Sequence, residues 1–545
     1  MKKLFTFLLV FTSMAFSTSI WAQDTLDVPN IMDGTPYGAL NKFITNDSMR
    51  PSTRVYRLER GKLYFLSGGI SADFDLRIVA DGMPDADNRP PVILSGVGPN
   101  GEHANLLIDC FGDGYFENIY FENIYPDGAG RGVLGVRSRV EGSYIFNNCI
   151  FEGNNWFSFV TWDNIIKMEY RDCTFRNSTH PTNFFNGRGV GLRNEHHVDS
   201  VIIENCTFFN LNSYSFGADH SEIGFLSFSH NTVVNTAKWP IQALRQTNCN
   251  INDNIFYNAH AMGETQAEYK GDDVQDIDSL IFGIYNLFPL PTDWADSLGY
   301  SEAGRSISLH RNNWFYSQKI TDYWAANNVE SEPFMNSRTQ GWFDDDANYP
   351  NLSEVATTNM DPGFINPGQD ANYSTVDSMI NAMHAWKRDT NLVANPFWGY
   401  EPETLDFNIE WPLPENLAYT NATLKTAAPG GCPIGDLNWW PDLKEGCMAV
   451  ATNEPFTSKG LTVEQNMPNP FKGQTTIAYT LADAAKVNVT IIDINGKVIT
   501  TLLNENQQQG RHTVDWNAGS LATGTYFYQI KTDHALITRK LELIK

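Results

Sequence analysis

Three carboxylates, Asp163, Glu195 and Asp219, follow one another at intervals of 32 and 24 residues. Each ends a short run of related make-up: SFVTWD from Ser158, GVGLRNE from Gly189 and SFGAD from Ser215. Two kindred runs, GVLGVRSRV from Gly132 and IQALRQT from Ile241, carry Arg137, Arg139 and Arg245 instead, and Arg193 stands two residues before Glu195. Carboxylates held close together repel unless something uses them. A shared proton makes one an acid and its neighbour a base, the pairing that cleaves a glycosidic bond. A hard cation such as Ca²⁺, with Asp163, Glu195 and Asp219 as ligands, is the other resolution. Arginine grips a carboxylate through paired hydrogen bonds. His196, His197 and His220 stand beside the row and are suited to moving protons or holding substrate.

Such a row exists only if the runs are stacked strands in register. Aligning Val136, Val160, Leu192, Phe216 and Leu244 as inward residues places Arg137, Thr161, Arg193, Gly217 and Arg245 outward, because side chains alternate along a strand. Two residues on, the same face carries Arg139, Asp163, Glu195, Asp219 and Thr247. A slip of the alignment by one residue turns the whole row inward. From Arg131 to Arg193 eight basic residues face five acidic ones, in a chain whose 38 basic and 63 acidic residues give −25. A locally basic stripe on an acidic protein suits an acidic polymer, whereas the overall charge argues against nucleic acid or an anionic membrane. The plainer alternative is a solvated, salt-bridged face.

A second pattern confirms the period. Polar, Cys or Asn, apolar, aromatic recurs as ENIYFEN from Glu117, NCIFEGN from Asn148, DCTFRNS from Asp172, NCTFFNL from Asn205, HNTVVNT from His230, DNIFYNA from Asp253 and NNWFYSQ from Asn312. Its register positions are Asn118, Cys149, Cys173, Cys206, Asn231, Asn254 and Asn313. One coil of about 24 residues with variable loops accounts for most intervals, and the last gap of 59 residues implies an insertion around 286–305 plus one more coil. On these residues the stretch from about 50 to 370 resembles the right-handed parallel β-helix family, to which pectate lyases belong. The resemblance implies stacked Asn and Cys ladders, with Cys149, Cys173 and Cys206 as core. For chemistry it implies a lyase in which a cation or arginine neutralises a uronate while Arg193, Arg245 or Lys238 takes the neighbouring proton. Arg137, Arg139, Lys238, His197 and His220 are the expected substrate contacts.

The rest of the solenoid reads as its closure. Pro36–Thr45 is expected to form a capping helix with Thr35 as N-cap, Val55–Ile70 the first strands, and Val376–Lys387 a closing helix. Seven cysteines leave at least one unpaired; Cys432 and Cys447 are the expected disulfide. DDVQDID from Asp272 lacks a full EF-hand spacing.

The two ends carry addresses. Lys2 and Lys3, an apolar run from Leu4 to Phe16 and small residues up to Ala22 have the order of a signal peptide over residues 1–22. No later stretch has the length of a transmembrane helix. Residues 30–448 are assigned to the β-helix with its caps, 449–460 to a linker and 461–545 to a last domain. There QNMPNPF, VNVTIIDINGKVI, GRHTVDWN, LATGTYFYQI and RKLELIK follow in order. They resemble the C-terminal sorting domain of type IX secretion cargo, which implies a translocon and a sortase as partners, passage through the periplasm, and a released or surface-attached product. Alternation and the Asn495–Gly496 turn suggest a small immunoglobulin-like β-sandwich. The fold class is therefore all-β: a parallel β-helix followed by a sandwich. The leading expectation is a β-helix that binds, and in one version cleaves, an acidic polysaccharide. The rival is a non-catalytic surface or adhesion protein.

Overall fold

The computed structural model describes residues 24–544 except 83–88, 97–105, 123–133, 181–183, 193–195, 264–282, 294, 296–300, 331–332, 369–374, 390–410, 452–455, 459–460, 493–497, 520 and 533–535. The signal peptide, the Asp272–Asp278 run and Asn495–Gly496 lie outside the described residues.

Residues 25–359 wind into a parallel β-helix. Its three faces are an eleven-stranded sheet from Thr25–Val28 to Leu352–Val355, a ten-stranded sheet from Leu63–Phe65 to Thr358–Asn359, and a seven-stranded sheet from Ile70–Ala72 to Ile241–Ala243. Every neighbouring pair in these sheets is parallel and, with few exceptions, in register, so each inward residue sits on its equivalent one coil away. The rings therefore stack like coins. Phe116, Phe146 and Tyr170 follow one another at 5.0 and 4.8 Å, and Phe121, Phe151, Phe175 and Phe208 at 5.1, 4.9 and 4.7 Å. These are close to the spacing of adjacent strands.

The corner between the eleven- and ten-stranded sheets explains the repeated motif. Asn118, Asn148, Asp172, Asn205, His230, Asp253 and Arg311 all adopt positive φ, between 49° and 61°. This left-handed conformation is tolerated best by Asn and Asp, which is why those residues precede the ladder position. The ladder itself reads Ile119, Cys149, Cys173, Cys206, Asn231, Asn254 and Asn312. Two expected members were one residue off: Asn118 is the left-handed residue, and Asn313 begins the next strand. Asn231, Asn254 and Asn312 are buried and chained. Asn254 Oδ1 accepts the Asn231 N–H at 2.8 Å, while its amide donates to the Phe228 carbonyl at 2.8 Å and to Asn312 Oδ1 at 2.9 Å. A second buried ladder, Asn177, Asn210, Asn235 and Asn258, links successive amides at 3.2, 3.1 and 3.0 Å. The expected extra coil in the 59-residue gap does not exist. Asn248–Asn252 pairs directly with Ser306–His310, so the gap is a single coil with a long insertion.

Cys110, Cys149, Cys173, Cys206 and Cys249 are buried and unbonded, with the middle three forming the cysteine part of the ladder. Burial pushes the thiols of Cys110, Cys173, Cys206 and Cys249 up, keeping them protonated and unreactive.

The first coil is covered by a helix over Ala39–Asn46, which turns Ala39, Leu40 and Ile44 into the core. It begins three residues later than the sequence suggested. Gly38, in the left-handed region, is its N-cap, while Thr35 closes the preceding turn. The helix at Thr375–Lys387 does not close the far end. It lies along the flank, with Trp386 stacked on Phe184 at 4.9 Å and Asp377 paired at 2.7 Å with Lys319 of the helix Gln318–Asn327.

Residues 411–448 form a strap across the outside of the ten-stranded sheet. Trp411 and Leu413 pack on Val92, Leu94, Tyr120 and Ile150, Leu417 on Phe209 and Val234, and Tyr419 and Ile434 around Ile255. Two buried polar anchors fix it. Arg176 is held between Glu152, at 2.6 and 2.7 Å, and Glu415 of the strap, at 2.9 Å twice. Asp436 accepts from Thr207 Oγ1 at 2.6 Å and from Asn438 N at 2.8 Å, while its own N–H donates to Thr232 Oγ1. Burial drives the Asp436 carboxyl up to about 7, against the pull of Thr207, the Asn438 amide and Lys444; Asp172 adds to the rise. Cys432 and Cys447 are bonded within the strap.

The last domain pairs two four-stranded antiparallel sheets, one of 456–458, 461–463, 474–481 and 510–517, the other of 485–492, 498–507, 524–531 and 536–543. Half of the expected linker at 449–460 is occupied: the helix Pro441–Ala451 runs into it, and its strand at Phe456–Ser458 already pairs with Leu461–Val463.

Two stability outcomes follow. Asn254→Ala strands the Asn231 N–H in the core and should cost roughly 1–3 kcal/mol in denaturant unfolding. The Asp436 carboxyl has its folded value raised above 3.8, so its contribution is full below that value and is lost as pH rises through about 7. Asp436→Asn should therefore gain stability relative to the wild type as pH is raised from 5 to 8, seen as a widening difference in Tm.

Candidate ligand-binding face

The seven-stranded sheet carries the expected row on its outer side, in a different register. Val136, Phe159, Val190, Phe216 and Ile241 are level with one another and face the core. The next residues, Asp109, Arg137, Val160, Gly191, Gly217 and Gln242, are level and face outward. The sequence alignment was thus one residue out at Val160, which is an outward residue, two out at Leu192, level with Thr161, and three out at Leu244, where Ile241 takes the inward place. Bulky residues on both sides of Phe157–Thr161 hid the slip, since FSFVT shows no alternation of polarity.

The slip takes Asp163 out of the expected row. Counting from Ser138 level with Thr161, it is Trp162 that stands level with Arg139. Asp163 lies one residue further, in the turn, where its Oδ1 accepts the Asn164 N–H at 2.8 Å and its backbone is tied to Thr161 Oγ1. Asp219 pairs with Ala243, not with Thr247, across a register shift. Arg193, Glu195 and the side chain of Asp219 lie outside the described residues. Among the described residues no three His, Cys, Asp or Glu converge as a metal site.

The other candidates fall in varied places. Lys238 is fully buried, its ammonium 4.6 Å from the Phe185 ring and 5.8 Å from that of Trp386, and so cannot touch a polymer on this face. Arg245 is half-buried in the bend after Ile241–Ala243. His220 is exposed in the turn after Asp219, and His196 is half-buried. His197 is clamped between two carboxylates, Nε2 to Asp199 at 2.7 Å and Nδ1 to Glu222 at 3.0 Å. Partial burial would lower the imidazole, but the hydrogen bonds to Asp199 and Glu222 outweigh it and hold its pKa above 6.5.

Arg137 and Arg139 do share the outer face, and their surroundings make a defined site. Asp109, missed in the sequence, holds both. Arg137 Nε donates to Oδ1 at 3.0 Å and Nη2 bonds Oδ2, while Arg139 reaches Asp109 through Nε alone, at 3.1 and 3.4 Å. Trp162 lies against both guanidiniums, 4.6 Å from Arg137 and 5.0 Å from Arg139, and Phe111 flanks Arg139 at 5.9 Å. Both rings are open to solvent, Trp162 at 37% and Phe111 at 41%. The terminal nitrogens of Arg139 make no hydrogen bond among the described residues, although the side chain is held on three sides and is only one-third exposed. Extending the outward alignment one coil upstream, to LLIDC at Leu106, would have revealed Asp109 and Phe111.

Residues 467–544 match the family described as the secretion system C-terminal sorting domain. No curated protein matches the chain. The sorting domain marks the protein as type IX secretion cargo, released or attached to the outer-membrane surface, and as a partner of that machinery. No described helix is long and apolar enough to cross a membrane.

The His197 clamp has a sign. A raised imidazole contributes stability that is full below 6.5 and fades as pH rises through its folded value. His197→Gln should therefore destabilise most at pH 5–6 and be nearly silent at pH 9 in chemical unfolding.

Proposed function

We propose that this exported β-helix is a binding protein for an acidic polysaccharide, which it holds on the outer face of the seven-stranded sheet at Arg139. The observation that carries the reading is the Arg139 guanidinium. Asp109 fixes it by Nε, Trp162 and Phe111 flank it, and its terminal nitrogens are left to a ligand. A planar fork of two N–H donors matches a carboxylate. An exposed indole beside it offers an apolar surface to the less polar face of a sugar ring. Fixing the side chain beforehand reduces the entropy lost when a ligand is gripped. Export to the cell exterior, where such polymers occur, is consistent with this use.

The reading is one of binding. Cleavage asks Asp163, Glu195 and Asp219 to share one row, and Asp163 lies in the turn, one residue beyond the level of Arg139. Lys238 is too deep to act as a base.

Affinity electrophoresis in gels containing uronate-bearing polysaccharides, with a neutral glucan gel as control, tests the reading. The wild type should be retarded only by the acidic polymers, and Arg139→Ala and Trp162→Ala should each weaken retention by about tenfold or more. Equal migration of wild type and Arg139→Ala in every gel would sink it. Release of unsaturated or reducing ends would restore a catalytic role.

A further inference from the structure

Resting on the binding reading above, we infer that the ligand is a sparsely charged heteropolysaccharide, with acidic units separated by neutral ones, and not a polymer charged at every unit. The argument is the order of side chains along the solenoid axis. Counting one residue beyond Ala72, Cys110, Ser138 and Thr161, which are paired in register, places Asp73, Phe111, Arg139 and Trp162 level on four consecutive coils. Coils are spaced by about 4.8 Å, close to the length of one pyranose unit. A chain lying along the axis therefore meets one side chain per sugar. The unit at Arg139 finds a guanidinium. Its two neighbours find aromatic rings, which favour uncharged sugar faces and give a carboxylate no partner. The next position upstream is Asp73, whose exposed carboxylate is already paired with Arg50 at 3.6 Å, so the pair offers an acidic unit no net charge.

Asp109 completes the selection. It spends the bidentate edge of Arg137 and so cancels one of the two positive charges. The described patch of Arg137, Arg139 and Asp109 is left with a single net charge, which suits one carboxylate at a time. Asp109 is a positioning residue: it aims Arg139 by its Nε and keeps Arg137 from recruiting a second anion.

The test compares oligosaccharides of equal length by titration calorimetry on the full chain. Hyaluronan fragments carry a carboxylate on every second unit, oligogalacturonates on every unit, and a neutral gluco-oligosaccharide on none. Hyaluronan fragments should bind about tenfold or more tighter than oligogalacturonates. Asp109→Asn should narrow that preference severalfold and steepen the salt dependence, because a second guanidinium becomes available. A merely structural role for Asp109 would weaken both ligands alike. Arg137→Gln, which also breaks the Asp109–Arg137 pair but frees no second guanidinium, should leave the preference intact. Oligogalacturonates binding as well as or better than hyaluronan fragments would overturn this inference and leave the binding reading standing. If neither acidic ligand binds better than the neutral one, the binding reading itself fails, and this inference with it.

Discussion

Everything in the solenoid depends on one backbone requirement: a left-handed residue at the same corner of coil after coil. Seven described coils meet it, five of them with Asn or Asp. That single conformation turns the chain sharply enough to pass from one sheet to the next without a loop. It also fixes which residue comes next, and so places Cys149, Cys173 and Cys206 and then Asn231, Asn254 and Asn312 on one another in the core. The Asn part of the stack repays its burial by donating and accepting along the axis, whereas the Cys part needs only to be small and apolar. Register along the sheets is therefore set at the corner, and the outer faces inherit it.

The three outer faces have different fates. The ten-stranded face is apolar and is sealed by the strap, anchored by Arg176–Glu415 and by the buried Asp436. The eleven-stranded face is polar and satisfies itself. Lys167, Glu169, Arg171 and Glu204 pair among themselves, and Ser308 bridges Asn250 and Asn252. On the seven-stranded face, in contrast, an oriented guanidinium is left with donors to spare beside two exposed rings. The sorting domain addresses the chain to the outside of the cell.

Much of this was legible in the sequence. The corner motif repeats with a residue type that has a conformational reason to be there, so the coils between Asn148 and Asn254 could be placed correctly. The last domain could be read as a small β-sandwich because polarity alternates along its strands. The site was legible only in part. Arg137 and Arg139 were found because charge on a strand marks its outer side. Asp163 was misplaced because Phe157–Thr161 is buried throughout, and nothing in its composition distinguishes inside from outside. Lys238 looked like a surface base, yet the aromatic residues that enclose it come from Phe185 and from Trp386, far along the chain. The first capping turn was misread because Gly38 can adopt a conformation that made the Thr35–Pro36 signal irrelevant.

The central claim is that Arg139 is a preorganised receptor for the carboxylate of a sugar polymer. A crystal structure of the protein with a uronate-containing oligosaccharide tests it most directly. The account predicts the carboxylate on the terminal nitrogens of Arg139, a sugar ring against Trp162, and an unchanged Arg139 Nε–Asp109 bond. An oligosaccharide seated on another face, with the Arg139 terminal nitrogens still unengaged, would contradict it.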